Sequence, residues 1–265
     1  MKRAGWWGLG LWLLAGVAQA DVLLLVHGYL AQGQTWRESG VMQALRASGW
    51  QDCGHQRAQG EQVLFWPVPP PSAGHCAYTL DLPAEAPLGM QASLLARHVQ
   101  ASGLRHPGAK LHLVGHSAGG VAARLYLVQQ PQTPVTTLIT IASPHLGTGA
   151  ADTASGLLNS PLSLLTPFVP GGGTLQRSHW LYTELGQEKP GTLLFWLNRQ
   201  PHPALRYVSL LRSGRSSLLG DVAVPVESQD LRRVPALAGR AESYTTPGGH
   251  GLEAADGAVI ASLLR

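Results

Sequence analysis

The sequence has little cysteine, little charge and no internal repeat of fixed period. Two cysteines are too few for a disulfide-dense small scaffold, and 32 glycines without a three-residue period exclude a collagen-like chain. Charged residues make up 13% of the 265 residues and hydrophobic residues 45%, a balance that excludes a disordered chain. We therefore expect one large globular domain.

The first 20 residues have the pattern of a secretory signal peptide. Lys2 and Arg3 are basic, residues 5–17 are uncharged and apolar, and a small-x-small site ends at Ala20. The alternative is a membrane anchor, but the apolar stretch is shorter than the roughly 20 residues that span a bilayer. We expect cleavage near Ala20 and a secreted or periplasmic protein that comprises residues 21–265.

The remaining sequence argues against several kinds of partner. No later segment has 18 consecutive apolar residues, and no Lys/Arg run is longer than Arg232-Arg233, which argues against nucleic acid. The 11 histidines are scattered and include no His-Glu-x-x-His, so we predict no metal site. We predict no cofactor either. We also predict no stable protein partner.

Cys53 and Cys76 are the two cysteines of the chain. In an oxidising compartment, an even number of cysteines indicates a disulfide, so we expect this pair to be joined. The alternative is two free thiols. Their spacing is far from Cys-x-x-Cys, which argues against a metal site.

Apolar segments alternate with segments of helical spacing along the mature chain. Strands are predicted at residues 21–26, 63–66, 111–114, 137–142, 207–211 and 242–244. Helices are predicted at residues 34–48, 88–102, 121–129 and 254–264. This alternation predicts an α/β fold with a mostly parallel sheet and helices on both faces. Residues 148–204, rich in Leu, Pro and Gly, are predicted to be a lid or cap insertion in this single domain.

A candidate nucleophile follows the strand at residues 111–114. The sequence Gly115-x-Ser117-x-Gly119 fits the sharp strand-to-helix turn that exposes a catalytic serine. The glycines leave room where a Cβ would meet neighbouring backbone, and the helix start places its positive end beside a forming oxyanion. The alternative is an ordinary serine in a glycine-rich turn.

A serine hydroxyl needs a base, and the base needs an orienting acid. In this fold the chain order is serine, acid, histidine. Asp221 follows the strand at residues 207–211, and His250, in a glycine-rich loop, is the histidine beyond it. We therefore predict Ser117, Asp221 and His250 as the catalytic residues. The competing acids are Asp152, Glu227 and Asp230.

An oxyanion needs two preorganised N–H donors. The residue after the nucleophile, Ala118, supplies one backbone N–H, and the loop after the first strand supplies the other, at Tyr29.

Four motifs together carry a family resemblance: Val26-His27-Gly28, the Gly-His-Ser-Ala-Gly turn, Ser143-Pro144-His145-Leu146-Gly147-Thr148, and Gly220-Asp221 with Val224-Pro225. With them the chain resembles the secreted bacterial lipases of the α/β-hydrolase superfamily and the PGAP1-like ester hydrolases. The resemblance spans residues 22–256 with gaps. It implies the same catalytic residues, and the same two backbone N–H groups as the oxyanion hole.

The predicted function is a serine carboxylic-ester hydrolase, a lipase or esterase, that forms an acyl-enzyme on Ser117. The expected partner is a lipid or small-molecule ester, with transient contact at a lipid interface. Acyltransferase, thioesterase and serine peptidase activities would use the same triad. A non-catalytic binding protein is the alternative from another class.

Overall fold

The computed structural model describes residues 20–66, 74–160, 171–213 and 224–265. The predicted leader, except Ala20, lies outside these ranges, and so does Asp221. The strands are β1 (Val22–Val26), β2 (Gln51–Gln59), β3 (Gln62–Trp66), β4 (Cys76–Asp81), β5 (Leu111–His116), β6 (Val135–Ile141), β7 (Arg206–Arg212) and β8 (Ala241–Thr246). The helices are α1 (Thr35–Glu38), α2 (Val41–Ala47), α3 (Leu88–Arg105), α4 (Ala118–Gln129), α5 (Gly149–Leu158), α6 (Gly172–Arg177), α7 (His179–Leu185), α8 (Leu193–Leu197), α9 (Val226–Gln229) and α10 (Ala254–Leu263), with short 3-10 turns at Leu231–Arg233 and Pro235–Leu237.

The strands form a single sheet in the order β3-β2-β4-β1-β5-β6-β7-β8. Strand β3 runs antiparallel to β2, and the other neighbours in the sheet pair in parallel. This arrangement confirms the predicted mostly parallel α/β sheet. Because parallel strands end at the same edge, the loops after β1, β5, β6, β7 and β8 begin along one rim.

Strand β1 shows why continuous apolar runs form the centre of the sheet. All five of its residues are fully buried, and their side chains alternate between two cores. One core lies against α3 and α4, and the other lies against α1, α2 and α10. Burying one such Leu or Val contributes about 1.5–3 kcal/mol to folding.

One element prediction is wrong. The helix predicted over residues 34–48 is divided into α1 and α2, because Gly40 between them has a φ of +82°, a left-handed conformation. The helix predicted at residues 121–129 is present as α4, which already begins at Ala118, directly after the serine. Strands β2 and β4 were not predicted; β2 is mostly polar and has no apolar run to mark it.

The disulfide between Cys53 and Cys76 is present and joins the neighbouring strands β2 and β4, with the two Cα atoms 5.5 Å apart. The prediction for this pair is therefore confirmed. In the described ranges, the helices are all too short or too polar to cross a membrane.

Four helices, α5 to α8, lie between β6 and β7 in the stretch predicted as a lid. Helix α5 packs against α7, and the buried side chains of Leu181 and Leu185 belong to α7. That these helices open and close as a lid stays a prediction.

Candidate active site

Ser117 lies in the tight turn between β5 and α4. Its φ of +52° and ψ of −128° are strained for a non-glycine residue, and its N–H donates to the Ile141 carbonyl oxygen over 2.9 Å. Strain of this kind persists only where the surrounding structure enforces it, and it clusters at functional sites. Helix α4 begins at the next residue, so its positive end faces the Ser117 side chain.

The glycines around Ser117 are needed for space. A Cβ on Gly115 would lie 2.4 Å from the Gly120 Cα atom, and a Cβ on Gly119 would lie 2.2 Å from the His27 carbonyl oxygen. In both cases the obstacle is backbone, which cannot move aside cheaply. The structure thus supports the physical reason given for the Gly-x-Ser-x-Gly spacing.

His250 reaches Ser117 from the loop after β8. Its Nε2 atom lies 3.0 Å from the Ser117 Oγ atom, within hydrogen-bond distance, although 133 positions separate the two residues. Both ends of this loop are held. The Arg212 guanidinium donates to the Pro247 carbonyl oxygen over 2.5 Å, and Glu253 caps α10.

The loop after β1 passes directly beside Ser117. A Cβ on Gly28 would lie 2.9 Å from the Ser117 Cβ, so the backbone approaches the serine closely. Within the described part of the chain, the N–H groups of Tyr29 and Ala118 have no hydrogen-bond partner. The structure thus brings both predicted donor residues to the serine.

The loop that carries Tyr29 is anchored at several points. Asp81, at the end of β4, accepts a hydrogen bond from the Gly33 N–H over 2.8 Å, and its other carboxylate oxygen lies 3.0 Å from the His55 Nε2 atom. The contact with His55 lowers the pKa of Asp81 to about 2, so its carboxylate stays charged. The buried His27 accepts a hydrogen bond from the Leu82 N–H over 3.0 Å.

A cavity of about 260 Å³ opens beside Ser117. Its walls are mostly apolar and come from the loop after β1, the turn after β6, α5 and α7. The Tyr182 hydroxyl donates to the Tyr29 hydroxyl over 2.6 Å, and the two rings meet edge to face, 5.4 Å apart. The lining residues are Tyr29, Leu30, Ser117, Ala118, Pro144, Thr148, Ala151, Leu181, Tyr182, Leu185, Val224 and His250.

Comparisons with known proteins agree with this fold. The sequence matches the family model for palmitoyl protein thioesterase over residues 87–209. A lipase from Bacillus licheniformis, BlEst2, superimposes with a TM-score of 0.56 at 15% identity, covering 93% of this chain and 91% of the lipase. The chain has the α/β-hydrolase fold.

Other solved structures share this α/β-hydrolase fold. The lin2722 gene product of Listeria innocua aligns with a TM-score of 0.57 at 14% identity, covering 86% of this chain and 85% of that one. A bromoperoxidase from Bacillus anthracis aligns with a TM-score of 0.55 at 14% identity, covering 92% and 91%. A comparison with curated protein sequences gave no match.

The acid of the α/β-hydrolase triad stays a prediction, because Asp221 lies outside the described residues. Two of its competitors are held elsewhere. Asp152 accepts a hydrogen bond from the Gln187 N–H over 3.0 Å, and Asp230 is paired with Arg232 over 2.8 Å. Because both carboxylates already have these partners, neither is available solely to orient the imidazole of His250.

Sequence reasoning missed three contributors to the site. Tyr182 contacts the loop after β1 from α7, and Arg212 forms a buried ion pair with Asp256 over 2.5 Å beneath the His250 loop. His116, which the sequence presents only as the variable residue of the turn, contacts the backbone of His250. Within the described residues, no three His, Cys, Asp or Glu side chains lie together as metal ligands would.

Proposed function

We propose that this chain is a serine ester hydrolase, a lipase or esterase, that acts through an acyl-enzyme on Ser117. The observation that carries the proposal is the 3.0 Å distance between the Ser117 Oγ and His250 Nε2 atoms, at a strained turn beside an apolar cavity. A binding protein with no catalytic role would have no use for a strained serine paired with an imidazole.

The chemistry follows from the positions of the groups. His250 Nε2 takes the Ser117 hydroxyl proton as Oγ attacks the ester carbonyl carbon. The N–H groups of Tyr29 and Ala118 donate to the oxyanion that forms. The imidazolium then protonates the leaving alcohol, and water releases the acid by the reverse route. We assign Asp221 to accept the hydrogen bond from His250 Nδ1–H and so fix its tautomer.

A thioester is the second candidate substrate, because the matching family model is that of palmitoyl protein thioesterase. The same serine, base and oxyanion donors cleave a thioester by the same steps, with a thiol as the leaving group. Palmitoyl-CoA and p-nitrophenyl palmitate present the same acyl chain on the two kinds of leaving group. The ratio of their kcat/KM values therefore decides between the two substrate classes.

We further propose that the protein works in an oxidising compartment, secreted or periplasmic, and meets its substrate at a lipid surface. The disulfide between β2 and β4 supports the oxidising compartment. The exposed side chains of Leu30 and Trp180 support contact with lipid, since Leu30 also lines the cavity.

Hydrolysis of p-nitrophenyl butyrate and p-nitrophenyl palmitate tests the proposed activity. We expect turnover by the natural chain and loss of at least about 1,000-fold in kcat for Ser117→Ala, since residual catalysis without the nucleophile is small. Ser93→Ala is the matched control, because Ser93 lies on the exposed side of α3 and bonds only to the Gly89 carbonyl oxygen of its own helix. A Ser117→Ala protein that still turns over ester, or a natural chain that hydrolyses neither ester nor thioester, would end the proposal.

A further inference from the structure

We propose that His116 is a positioning residue for the base, because its imidazole holds the backbone carbonyl of His250 in place behind the nucleophile. The inference rests on the proposed function and deepens it. The His116 Nε2 atom lies 2.8 Å from the His250 carbonyl oxygen, and the two imidazole rings are 5.2 Å apart. One side chain beside Ser117 thus contacts the residue that would deprotonate Ser117.

His116 lies where the three loops of the site meet. It is the last residue of β5 and precedes the nucleophile, and its Nε2 atom contacts the loop after β8. Its Nδ1 atom faces the loop after β1, since a Cβ on Gly28 would lie 3.3 Å from it. The imidazole of His116 therefore contacts three segments: the loop after β1 that carries Tyr29, the turn that carries Ser117, and the loop after β8 that carries His250.

The protonation state of His116 follows from its contacts. A backbone carbonyl only accepts hydrogen bonds, so Nε2 must carry the proton. Within the described residues Nδ1 has no hydrogen-bond partner, and a second proton there would have no acceptor. Burial lowers the pKa of His116 to about 4, with the charges of Arg212 and the histidines nearby adding to the effect, so the ring is neutral at pH 7.

The loop after β8, which carries His250, needs such an anchor because of its composition. Residues 247–251 read Pro-Gly-Gly-His-Gly, and Gly248 has a φ of +108°, so the backbone here has few intrinsic restraints. The Arg212 guanidinium fixes the Pro247 carbonyl at the start of the segment. His116 fixes the carbonyl of His250 itself, which sets where the imidazole can reach. A misplacement of about 1 Å in such a group can cost about 100-fold in rate.

Two substitutions of His116 separate positioning from packing. His116→Leu fills a similar space without a donor, whereas His116→Gln keeps an amide N–H that can reach the same carbonyl. We expect His116→Leu to lower kcat for p-nitrophenyl butyrate by about 10- to 100-fold with KM within about twofold. His116→Gln should recover most of that loss. The rate at which a fluorophosphonate labels Ser117 should fall in parallel with kcat.

The matched control is His112→Leu. His112 is also buried and lies on the same strand β5, but near the opposite end from Ser117, where its Nδ1 atom contacts the Thr136 Oγ1 atom over 3.3 Å. It should lower the melting temperature and leave kcat unchanged. If His116→Leu keeps kcat within twofold of the natural chain, or if His112→Leu lowers kcat as much, the inference is wrong.

A measurement on the unsubstituted protein covers the case in which His116→Leu does not fold. Nitrogen-15 NMR of the imidazole should show His116 as the neutral Nε2–H tautomer at pH 7, with slow exchange of that proton. The Nδ1–H tautomer or a charged ring would overturn the inference. If the protein reacts with the fluorophosphonate at Ser117 but hydrolyses neither ester nor thioester, the proposed function is wrong. The role of His116 would then still be tested by the labelling rates of the natural chain and His116→Leu.

Discussion

The size of the cavity beside Ser117 predicts a preference for acyl chains of medium length. A volume of about 260 Å³ holds about nine carbon groups, if each takes about the 30 Å³ of one water molecule. Each methylene buried in an apolar site contributes about 0.8 kcal/mol, which is about fourfold in kcat/KM. For p-nitrophenyl esters we expect kcat/KM to rise about fourfold per methylene up to about eight carbons and then to level.

One substitution on α5 tests whether this cavity sets the preference. Ala151 is buried and lines the cavity, so Ala151→Leu adds three carbon groups to the space that the acyl chain would fill. The chain length at which kcat/KM levels should shorten to about five carbons. Ala150→Leu is the control, because Ala150 is the preceding residue of the same helix and is exposed.

The assay is a series of p-nitrophenyl esters from two to sixteen carbons, with kcat/KM measured for the three proteins. An unchanged profile in Ala151→Leu would mean that the acyl chain binds elsewhere. A natural chain whose kcat/KM keeps rising fourfold per methylene to sixteen carbons would also refute the reasoning, because the cavity could not supply that burial.

Three further predictions concern the triad, the turn and acid stability. Asp221→Asn should lower kcat about 10,000-fold in the ester assay with the melting temperature retained, and a loss under tenfold would mean that another residue orients His250. Gly119→Ala should lower the free energy of unfolding by about 3 kcal/mol or more in urea titrations, because its Cβ would meet the His27 carbonyl; Gly156→Ala, in open space on α5, should be neutral or stabilising. Burial lowers the pKa of His98, His116 and His202 to about 4. Between pH 6.5 and 4 the unfolded chain binds protons at these histidines and the folded chain does not, so the free energy of unfolding should fall by up to about 4 kcal/mol per pH unit as the pH drops. An unchanged free energy of unfolding in urea titrations at pH 7, 6 and 5 would contradict this.

The central strands were predictable from the sequence because a parallel strand covered on both faces is buried and therefore rich in apolar residues. Strand β1 is apolar at all five positions, and β5 and β6, which also contain histidines or threonines, are buried along most of their length. Strand β2 lies next to the edge strand β3 and keeps polar side chains partly exposed, so no apolar run marked it. Helix α2 was merged with α1 because the helical period continues across Gly40, and only the left-handed φ separates them.

The pairing of Ser117 with His250 was predictable because the fold constrains chain order and because polar motifs follow the strand ends. The contact between Tyr182 and Tyr29 had no such signal. It joins α7 to the loop after β1 across 153 positions, and nothing in the pattern of either segment points to the other. The role of Asp221 stays a prediction, because this residue lies outside the described ranges.

The distribution of backbone strain gives an independent reason to place the chemistry at this rim. Among the described residues, three that are not glycine have a positive φ: Leu30, Ser117 and Ala142. They follow β1, β5 and β6, three adjacent strands, at their carboxyl ends. Each such conformation costs about 1–3 kcal/mol, and the buried strands beneath hold it in place.

Strain gathered at one edge is not what folding alone would select, because any of these three turns could have used glycine. Ser117 cannot be glycine if Oγ is the nucleophile, and its φ aims that atom toward His250. Leu30 places an apolar side chain at the cavity mouth, next to the proposed oxyanion donor Tyr29. The strain at Ser117 and Leu30 is therefore best understood as the cost of presenting these two side chains at a preorganised site, which is the condition that the proposed acyl transfer requires.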